Sequence, residues 1–267
     1  MAMYSSNLSS VEWQFIKPYF PRSKKLGRPR KHSMKTIVDA IYYVLQSGCA
    51  WELLPNDFPP YQTVYGYHRK WVISGFWKNI NDKFREKLRI ASGRNATPSA
   101  GIIDSQSVKM VDQRGDKGYD GGKKINGRKR HILVDVLGLL IFVSVTKAST
   151  GDRCGGLTIT KMIQGQFPRL KLIWADGSYT GSFIDQLLKL YSWTVEIIKP
   201  VRDKGPGFHV RPWCWIVERT FGWMNKNRRL SKDYECSEAT SEALIYMAMV
   251  RIMLRRLACK PRELKSF

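Results

Sequence analysis

The spacing of apolar residues changes near residue 100 and divides the chain into two parts. Before that point, "MKTIVDAIYYVLQSG" at 34–48 places apolar side chains three or four residues apart, which predicts an amphipathic helix. Ser9 and Glu12 form a capping box that begins a shorter helix, and an aromatic and basic helix is predicted at 61–77. Two helices joined by a short turn, the second rich in polar and basic side chains, predict a helix-turn-helix; a small helical bundle is the alternative.

Short apolar runs separated by turn signals follow residue 100. "GIID" predicts a short strand that ends at Asp104, "HILVDVLGLLIFVSVTKA" two strands that turn near Leu137 and Gly138, and "LKLIWADG" and "TVEIIKPV" one strand each. Helices are predicted at 182–192, from Glu218, and from Ser237 to about Cys259. Three antiparallel strands followed by two parallel strands with covering helices form a ribonuclease-H-like mixed sheet.

The predicted fold class is therefore α/β, with a small all-helical domain before a ribonuclease-H-like domain. We place the helical domain at 1–92, with a basic linker at 21–33, and the second domain at 100–260. No large inserted domain is expected between the fifth strand and Glu218.

The charge balance indicates a polyanionic partner. The chain has 45 Lys and Arg against 22 Asp and Glu, a net charge of +23 and a pI near 10.0, which favours nucleic acid. A membrane surface is the alternative, but the longest apolar run is about half of a membrane span and no signal peptide is recognisable. Five scattered cysteines fit a reducing cytosol and predict neither a disulfide framework nor a zinc site.

Three acidic residues follow predicted strands or begin a helix: Asp104, Asp176 and Glu218. Strand ends near the middle of an open sheet and a neighbouring helix can converge on one point. Three converging carboxylates need cations, and Mg²⁺ prefers oxygen ligands; two such ions could hold the attacking and leaving oxygens of a phosphate displacement. Each acid alone also has a structural interpretation: Asp104 as a turn cap, Asp176 as a strand end, and Glu218 as an i,i+4 partner or a first-turn acid. Asp135 beside a hairpin turn is expected to be structural.

Cations surround these acids. On the helix predicted around Glu218, one face carries Glu218, Gly222, Asn225 and Arg229. The opposite face is the predicted core face, with Ile216, Val217, Thr220, Phe221, Trp223 and Met224. The stretch "GKKINGRKR" predicts a DNA-backbone clamp or, alternatively, a mobile surface hairpin; its cations are Lys123, Lys124, Arg128, Lys129 and Arg130. The stretch "LGRPRK", with Arg28 and Arg30, resembles the core of a minor-groove AT-hook. The alternative is a solvated basic linker. Asp112, Asp116 and Asp120, in the same loop region, are expected to be solvated.

Four motifs together are more specific than any one of them. "IIDSQSVK", "GYDGGKKINGRKRHILVDVLGLL", "IWADGSYTG" and "WIVERTFGWMNKNRRLSKDYE" follow each other in the order and spacing typical of bacterial DDE transposases of the insertion sequence 5 family, and residues 5–258 resemble that family. The resemblance implies that Asp104, Asp176 and Glu218 are the catalytic and metal-binding acids, at intervals of 72 and 42 residues. It also implies that Arg219, Asn225 and Arg229 contact phosphate. Trp213 and Cys214 depart from the family, whose members usually carry basic residues there.

The expected function is a transposase that binds the terminal inverted repeats of its element, hydrolyses the strands at the ends with metal-activated water, and joins the 3′-hydroxyl ends to target DNA. Two Mg²⁺ ions, with Mn²⁺ as a substitute, are the expected cofactors. Double-stranded DNA is the expected partner, bound by a homodimer or higher oligomer in the bacterial cytoplasm and nucleoid. Gln62, Tyr65 and Arg69 are expected on the reading helix.

Three other classes are weighed against it. A non-catalytic repressor would need none of the acids, and a nuclease or resolvase of the same fold would cut branched or hybrid substrates. A serine or tyrosine recombinase would need a nucleophilic hydroxyl, and Ser105 and Tyr179 have no evident activating set.

Overall fold

The computed structural model describes residues 4–21, 30–112, 114–198 and 213–259. Within these ranges the helices are α1 Ser10–Ile16, α2 Met34–Ser47, α3 Tyr61–Ile73, α4 Phe76–Ala91, α5 Asp152–Met162, α6 Ser182–Tyr191, α7 Cys214–Asn225 and α8 Glu238–Ala258. The strands are β1 Ala100–Lys109, β2 Gly118–Asp120, β3 Ile125–Asp135, β4 Leu140–Lys147, β5 Leu172–Ala175 and β6 Thr194–Ile197. No helix in the described part of the chain is both long and apolar enough to cross a bilayer.

The strands form one mixed sheet centred on β1. β1 pairs antiparallel with β3 on one side and parallel with β5 on the other, and β6 continues the parallel half beyond β5. β4 pairs antiparallel with the outer edge of β3, and the short β2 pairs with the first residues of β3. Three long antiparallel strands followed by two parallel strands is the predicted order, and the ribonuclease-H-like fold is confirmed.

Successive side chains of a strand point to opposite sides of the sheet, and in β1 and β3 the side chains on both sides are buried. Ile102 of β1 and Ile132 of β3 face one hydrophobic core. Ile103 and Leu133 face a second core, which α5 and α6 cover. The apolar runs in the sequence are therefore the runs expected of strands that are covered on both sides.

The N-terminal helices and the sheet share the first of these cores. Apolar side chains of α1 to α4 belong to the same cluster as Ile102 and much of α8. α8 packs against α1, α3 and α4 and also against β4. The predicted boundary at 92–100 coincides with the connection between α4 and β1, but the two parts of the chain are buried against each other.

The connection between α2 and α3 differs from the prediction. Residues 48–60 join the two helices through a 3-10 turn at Trp51–Leu53, so the connection is not the short turn of a helix-turn-helix. Pro55, Pro59 and Pro60 explain the length, since proline lacks the amide hydrogen that a helix interior needs. The tight turn lies instead after α3, where Ser74 and Gly75 lead into α4.

β1 is longer than predicted, so Asp104 lies in the middle of a strand and not at its end. The polar residues Ser105 and Ser107 continue the strand because their hydroxyl groups have acceptors: Ser105 donates to Asp152 at 2.6 Å and Ser107 to Asp120 at 2.5 Å. Asp120 is thereby buried, and its predicted solvation is wrong.

Two cations of the predicted DNA clamp are buried in β3. Arg128 and Arg130 lie on the same face of the strand as Ile132 and are about 0–1% exposed. Arg128 donates to the carbonyls of Glu235 and Cys236 at 2.8 and 2.7 Å and pairs with Asp233 at 3.4 Å. Arg130 donates to the carbonyls of Leu230 and Lys232. Both arginines bind the segment before α8 to the sheet, so neither is available to phosphate.

Arg128→Met tests this structural role. Removing one partner of a buried ion pair leaves the other uncompensated, so we expect the free energy of unfolding to fall by about 3–5 kcal/mol. Urea unfolding measures it, with Lys124→Gln as the control, because Lys124 is exposed on the same hairpin and its loss should leave unfolding unchanged. Equal stability of the two variants would contradict a structural role for Arg128.

Candidate active site

Two acidic residues face each other across the parallel pair β1 and β5. The pairing joins Ala100 with Leu172 and Ile102 with Trp174. Continuing that register by two residues places Asp104 beside Asp176, on the sheet face that carries Ile102. The interval of 72 residues in the sequence is thus the register of two adjacent strands.

The surroundings of Asp104 disfavour its ionised form. Burial, the largest cause, and the nearby carboxylates Asp176 and Asp152 together raise the pKa of Asp104 to about 7. The amide of Ser105, which donates to Oδ1 at 2.7 Å, and the ammonium of Lys123 act in the opposite direction. A cation placed beside a carboxyl group in this environment strongly stabilises its ionised form.

Asp176 caps the 3-10 turn Gly177–Tyr179. Its Oδ1 accepts hydrogen bonds from the amide of Ser178 at 2.9 Å and from the hydroxyl of Ser178 at 2.5 Å. These contacts fix the side chain. Asp176 directly follows β5, in agreement with its structural interpretation as a strand end, and in addition it caps the turn. Asp176 can cap this turn and lie beside Asp104 at the same time.

Glu218 lies on α7, whose apolar side packs against β1 and β3. Ile216, Val217, Thr220, Phe221 and Met224 are buried as predicted, whereas Trp223 is only partly buried. The Glu218 side chain is exposed on the other side of the helix. Among the described residues, no group of three or more His, Cys, Asp and Glu is close enough to hold one metal ion. The oxygen donors of Asp104 and Asp176 fit a hard divalent cation, and the approach of Glu218 to them stays a prediction.

A polar network supports β1 from its other face. Asp152, at the start of α5, accepts from Ser105 and pairs with Lys129 at 3.3 Å. Lys129 also pairs with Asp120 at 3.2 Å and is buried. Burial alone would raise the pKa of Asp152, but the Ser105 hydrogen bond and Lys129 bring it below its ordinary value. Lys129 therefore forms ion pairs inside the protein and is not a DNA contact. The sequence pattern did not identify Asp152 as part of this region.

Lys123 and Lys124 are the exposed cations of the β2–β3 hairpin. Lys123 donates from Nζ to the carbonyl of Ser105 at 3.3 Å, which places its ammonium near Asp104. Of the five predicted clamp residues, these two remain candidates for phosphate contact. The other three are buried because the predicted loop is mostly strand β3.

The basic residues after Glu218 do not form the predicted stripe. α7 ends at Asn225, and the chain turns so that Arg229 is buried, paired with Glu235 at 2.7 Å and donating to the carbonyl of Cys49 at 2.8 Å. Arg229 cannot contact phosphate in this position. Asn225 is exposed, and Arg219 lies between the rings of Trp215 and Trp223.

Trp213 precedes α7 with a positive φ of 69°. For a bulky side chain this backbone conformation costs on the order of 1–3 kcal/mol. The Trp213 ring stacks on Trp174 with centroids 4.5 Å apart, and Cys214 behind it is buried. The stack offsets part of that cost.

The remaining predicted DNA contacts lie on the N-terminal region. Gln62, Tyr65 and Arg69 are all exposed on one face of α3, at the spacing of one helical stripe. Arg30 donates to the carbonyl of Pro21. Arg28 lies outside the described residues.

The metal-free protein should lose stability as the pH rises, because of Asp104. The folded protein keeps the Asp104 proton up to about pH 7, whereas the unfolded chain releases it near 3.8, so folding takes up a proton between these values. The contribution of this group to stability is therefore present at low pH and lost towards pH 7. Urea unfolding in EDTA from pH 5 to 8 measures it.

Asp104→Asn is the matched variant for that measurement. It should be more stable than the unmodified chain at pH 8 and lack this pH dependence. Adding Mg²⁺ at pH 8 should stabilise the unmodified chain more than the variant. Parallel stability curves for the two proteins would show that Asp104 is not the responsible group.

Two family models match the chain. Residues 8–81 match the putative transposase of IS4/5 family, and residues 95–253 match the transposase DDE domain. No curated protein matches the sequence.

Similar solved structures include two Mos1 complexes. The Mos1 mariner paired end complex with Mn is 14% identical, with 88% of this chain and 80% of that chain covered and a TM-score of 0.32. The Mos1 strand transfer complex is 14% identical, with 91% and 82% covered and a TM-score of 0.31. The DDE-domain match extends over more than half of the sequence, and the chain therefore belongs to the DDE transposases of the IS4/5 family, metal-dependent enzymes that cleave and join DNA strands.

Proposed function

We propose that the protein mobilises an insertion sequence by binding its terminal inverted repeats, hydrolysing the strands at its ends and joining the 3′-hydroxyl groups to target DNA. Asp104, Asp176 and Glu218 are the proposed catalytic acids. The observation that carries the proposal is the register of β1 and β5, which sets Asp104 beside Asp176 while α7 packs against β1. Two carboxylates held together in this way need a cation to lower their repulsion.

The proposed cofactor is Mg²⁺, two ions per site, with Mn²⁺ as a substitute. Asp104 and Asp176 supply oxygen ligands, and Glu218 is the proposed third ligand. When bound, such a pair of ions supplies charge neutralisation at the phosphate and activates the attacking oxygen.

Both proposed reactions are in-line displacements at phosphorus that form no bond to the protein. In the first, water attacks and the 3′-oxygen of the element leaves. In the second, that 3′-hydroxyl attacks a target phosphate and the 3′-oxygen of the target strand leaves. Two neighbouring hydroxyl groups are unsuited to act as nucleophiles. Tyr179 is 0% exposed, and the hydroxyl of the buried Ser105 donates a hydrogen bond to Asp152. Their burial disfavours the serine and tyrosine recombinase alternatives.

The DNA contacts are proposed for two separate surfaces. Gln62, Tyr65 and Arg69 on α3 present polar, aromatic and cationic groups that can reach base edges in a major groove. Lys123 and Lys124 beside Asp104 can contact the backbone near the cleaved phosphate. Two element ends have to be held together, so we propose a homodimer or larger assembly on DNA, acting on the nucleoid in the bacterial cytoplasm.

Glu218→Gln tests the proposed acid on α7. It preserves size and helix propensity but removes a charged ligand, so single-turnover cleavage of terminal-repeat DNA with Mg²⁺ should fall at least about 100-fold. Binding to the same DNA should persist or tighten, since a negative charge near phosphate is lost. The melting temperature should stay unchanged.

Glu86→Gln is the matched control. Glu86 lies on α4 in an i,i+3 pair with Lys83 at 3.9 Å, so its replacement removes a helical glutamate that is not part of the proposed site. The control should cleave at the unmodified rate. Near-normal cleavage by Glu218→Gln would eliminate this residue from the site, and a parallel loss of melting temperature would assign it a structural role.

The reading surface is tested in the full chain, since α3 shares its core with α8. Replacing Gln62 and Arg69 together by Ala should lower the preference for terminal-repeat over scrambled duplex by about 1–3 kcal/mol for each base that these side chains recognise. Competition binding at fixed salt measures that preference, with the repeats taken from the inverted sequences that flank the gene. Lys189→Ala, which removes an exposed cation of α6, is the control. Any loss of affinity that it causes should be the same for both duplexes, so the preference should not change. An unchanged preference in the double variant would move sequence reading to another surface.

A further inference from the structure

An alternating stack of indole rings and guanidinium groups runs along α7. The guanidinium of Arg219 lies 4.3 Å from the ring centre of Trp215 and 4.6 Å from that of Trp223, and Arg256 of α8 lies 4.4 Å from Trp223. Residues 215, 219 and 223 are four apart and share one stripe of the helix. This stripe lies next to the one that carries Glu218.

A second aromatic pair lies near Asp104 of β1 and Asp176, the residue that follows β5. Trp174 lies two residues before Asp176, about 7 Å along the strand, and on the same face of the sheet. Trp213 stacks on Trp174 with an angle of 10° between the ring planes. The Trp213 ring is therefore held beside the proposed site.

Exposure separates these rings from the other tryptophans. All nine tryptophans lie in the described ranges, and only Trp213 and Trp215 are exposed, at 42% and 39%. Trp174 covers one face of Trp213, and Arg219 covers one face of Trp215. Buried apolar packing accounts for the other seven but not for these two.

We propose that Trp213 and Trp215 form a stacking platform for unpaired nucleotide bases of the DNA strand that adjoins the cleaved phosphate. The proposal rests on the function proposed above, since it places a DNA strand at Asp104 and Asp176. Aromatic rings interleaved with cations bind single strands, because every base offers a π-face and every nucleotide a negative charge. Bases inside an intact duplex offer no free faces, so the platform takes DNA that is locally unpaired.

Charge complementarity favours a nucleic acid over a protein partner. Arg219 and Arg256 lie between or beside the rings, and the chain carries a net charge of +23.

The inner ring of the Trp174–Trp213 pair is fixed by a hydrogen bond. The Trp174 indole nitrogen donates to Glu196 at 2.7 Å. The outer ring is thus supported on a fixed surface.

The test uses the full chain and two probes, a 12-nucleotide single strand of mixed sequence and the duplex of the same sequence. The variants are Trp213→Gly, which keeps a residue suited to positive φ, and Trp215→Ala. Each should weaken binding of the single strand by about 5- to 100-fold and change binding of the duplex by less than about 2-fold. Trp213→Phe should retain most of the single-strand affinity, because a smaller aromatic ring can still stack.

Leu188→Ala is the control, since Leu188 is a similarly exposed apolar residue on α6. It should leave both affinities unchanged. Melting curves of all variants show that they are folded. Single-strand binding that persists in Trp213→Gly and Trp215→Ala, or that falls in proportion with duplex binding, would overturn the platform and leave the exposed rings to a protein partner.

The same probes distinguish this proposal from the catalytic one. Glu218→Gln should keep or tighten its single-strand binding while it loses cleavage. If Glu218→Gln cleaves normally, the catalytic assignment fails, and the stacking measurement still decides the platform independently.

Discussion

The hydrogen-bonded register of β1 is the constraint on which the rest of the structure depends. Its antiparallel ladder with β3 and its parallel ladder with β5 leave it no freedom to slide. A shift by one residue would turn Asp104 towards α5 and Ser105 towards Asp176, and it would exchange Ile102 and Ile103 between the two cores. The same ladders therefore select the buried faces and the position of the proposed acids.

Several cations of this basic protein are buried and bind other groups of the same chain. Arg128, Arg130 and Arg229 satisfy carbonyl groups of irregular segments, and Lys129 joins two aspartates behind β1. Arg89 likewise pairs with Asp135, which also accepts from two amides in the β3–β4 turn, in agreement with its predicted structural role. A long side chain with several donors can satisfy irregular backbone that a short apolar residue would leave unpaired. Net charge therefore indicates a polyanionic partner without identifying which cations contact it.

α8 connects the helical region to the sheet. It is buried along most of its length, and the helices α1, α3 and α4 pack on it together with β4. Arg251 of this helix pairs with Glu12 at 3.4 Å and donates to the carbonyl of Asn7, which ties the N-terminal segment to the same core. The surface of α3 and the acids of the sheet are consequently held by one packed unit.

The sequence alone determined the elements whose signals are local. Ser9 and Glu12 form the predicted capping box, Gly48 ends α2 in the left-handed conformation, and the chain turns at Gly138. The order of apolar strands predicted the ribonuclease-H-like sheet, and the motif spacing predicted the family. These features depend on side chains a few residues apart or on the order of elements, both of which a sequence displays.

Only the tertiary structure decided which polar groups find partners. Lys129 resembles a surface cation in a basic stretch, and Asp120 a loop acid, until the β2–β3 hairpin and α5 bring Asp152 beside them. Arg229 continues the Glu218 stripe only if α7 continues, and the turn after Asn225 places it against Glu235 and Cys49 instead. The ring of Trp213, just before α7, is supported by Trp174, a residue of β5 that is distant in sequence. The burial of a charge or ring is set by residues distant in sequence, because the low-dielectric interior accepts it only when the whole fold supplies the compensating contacts.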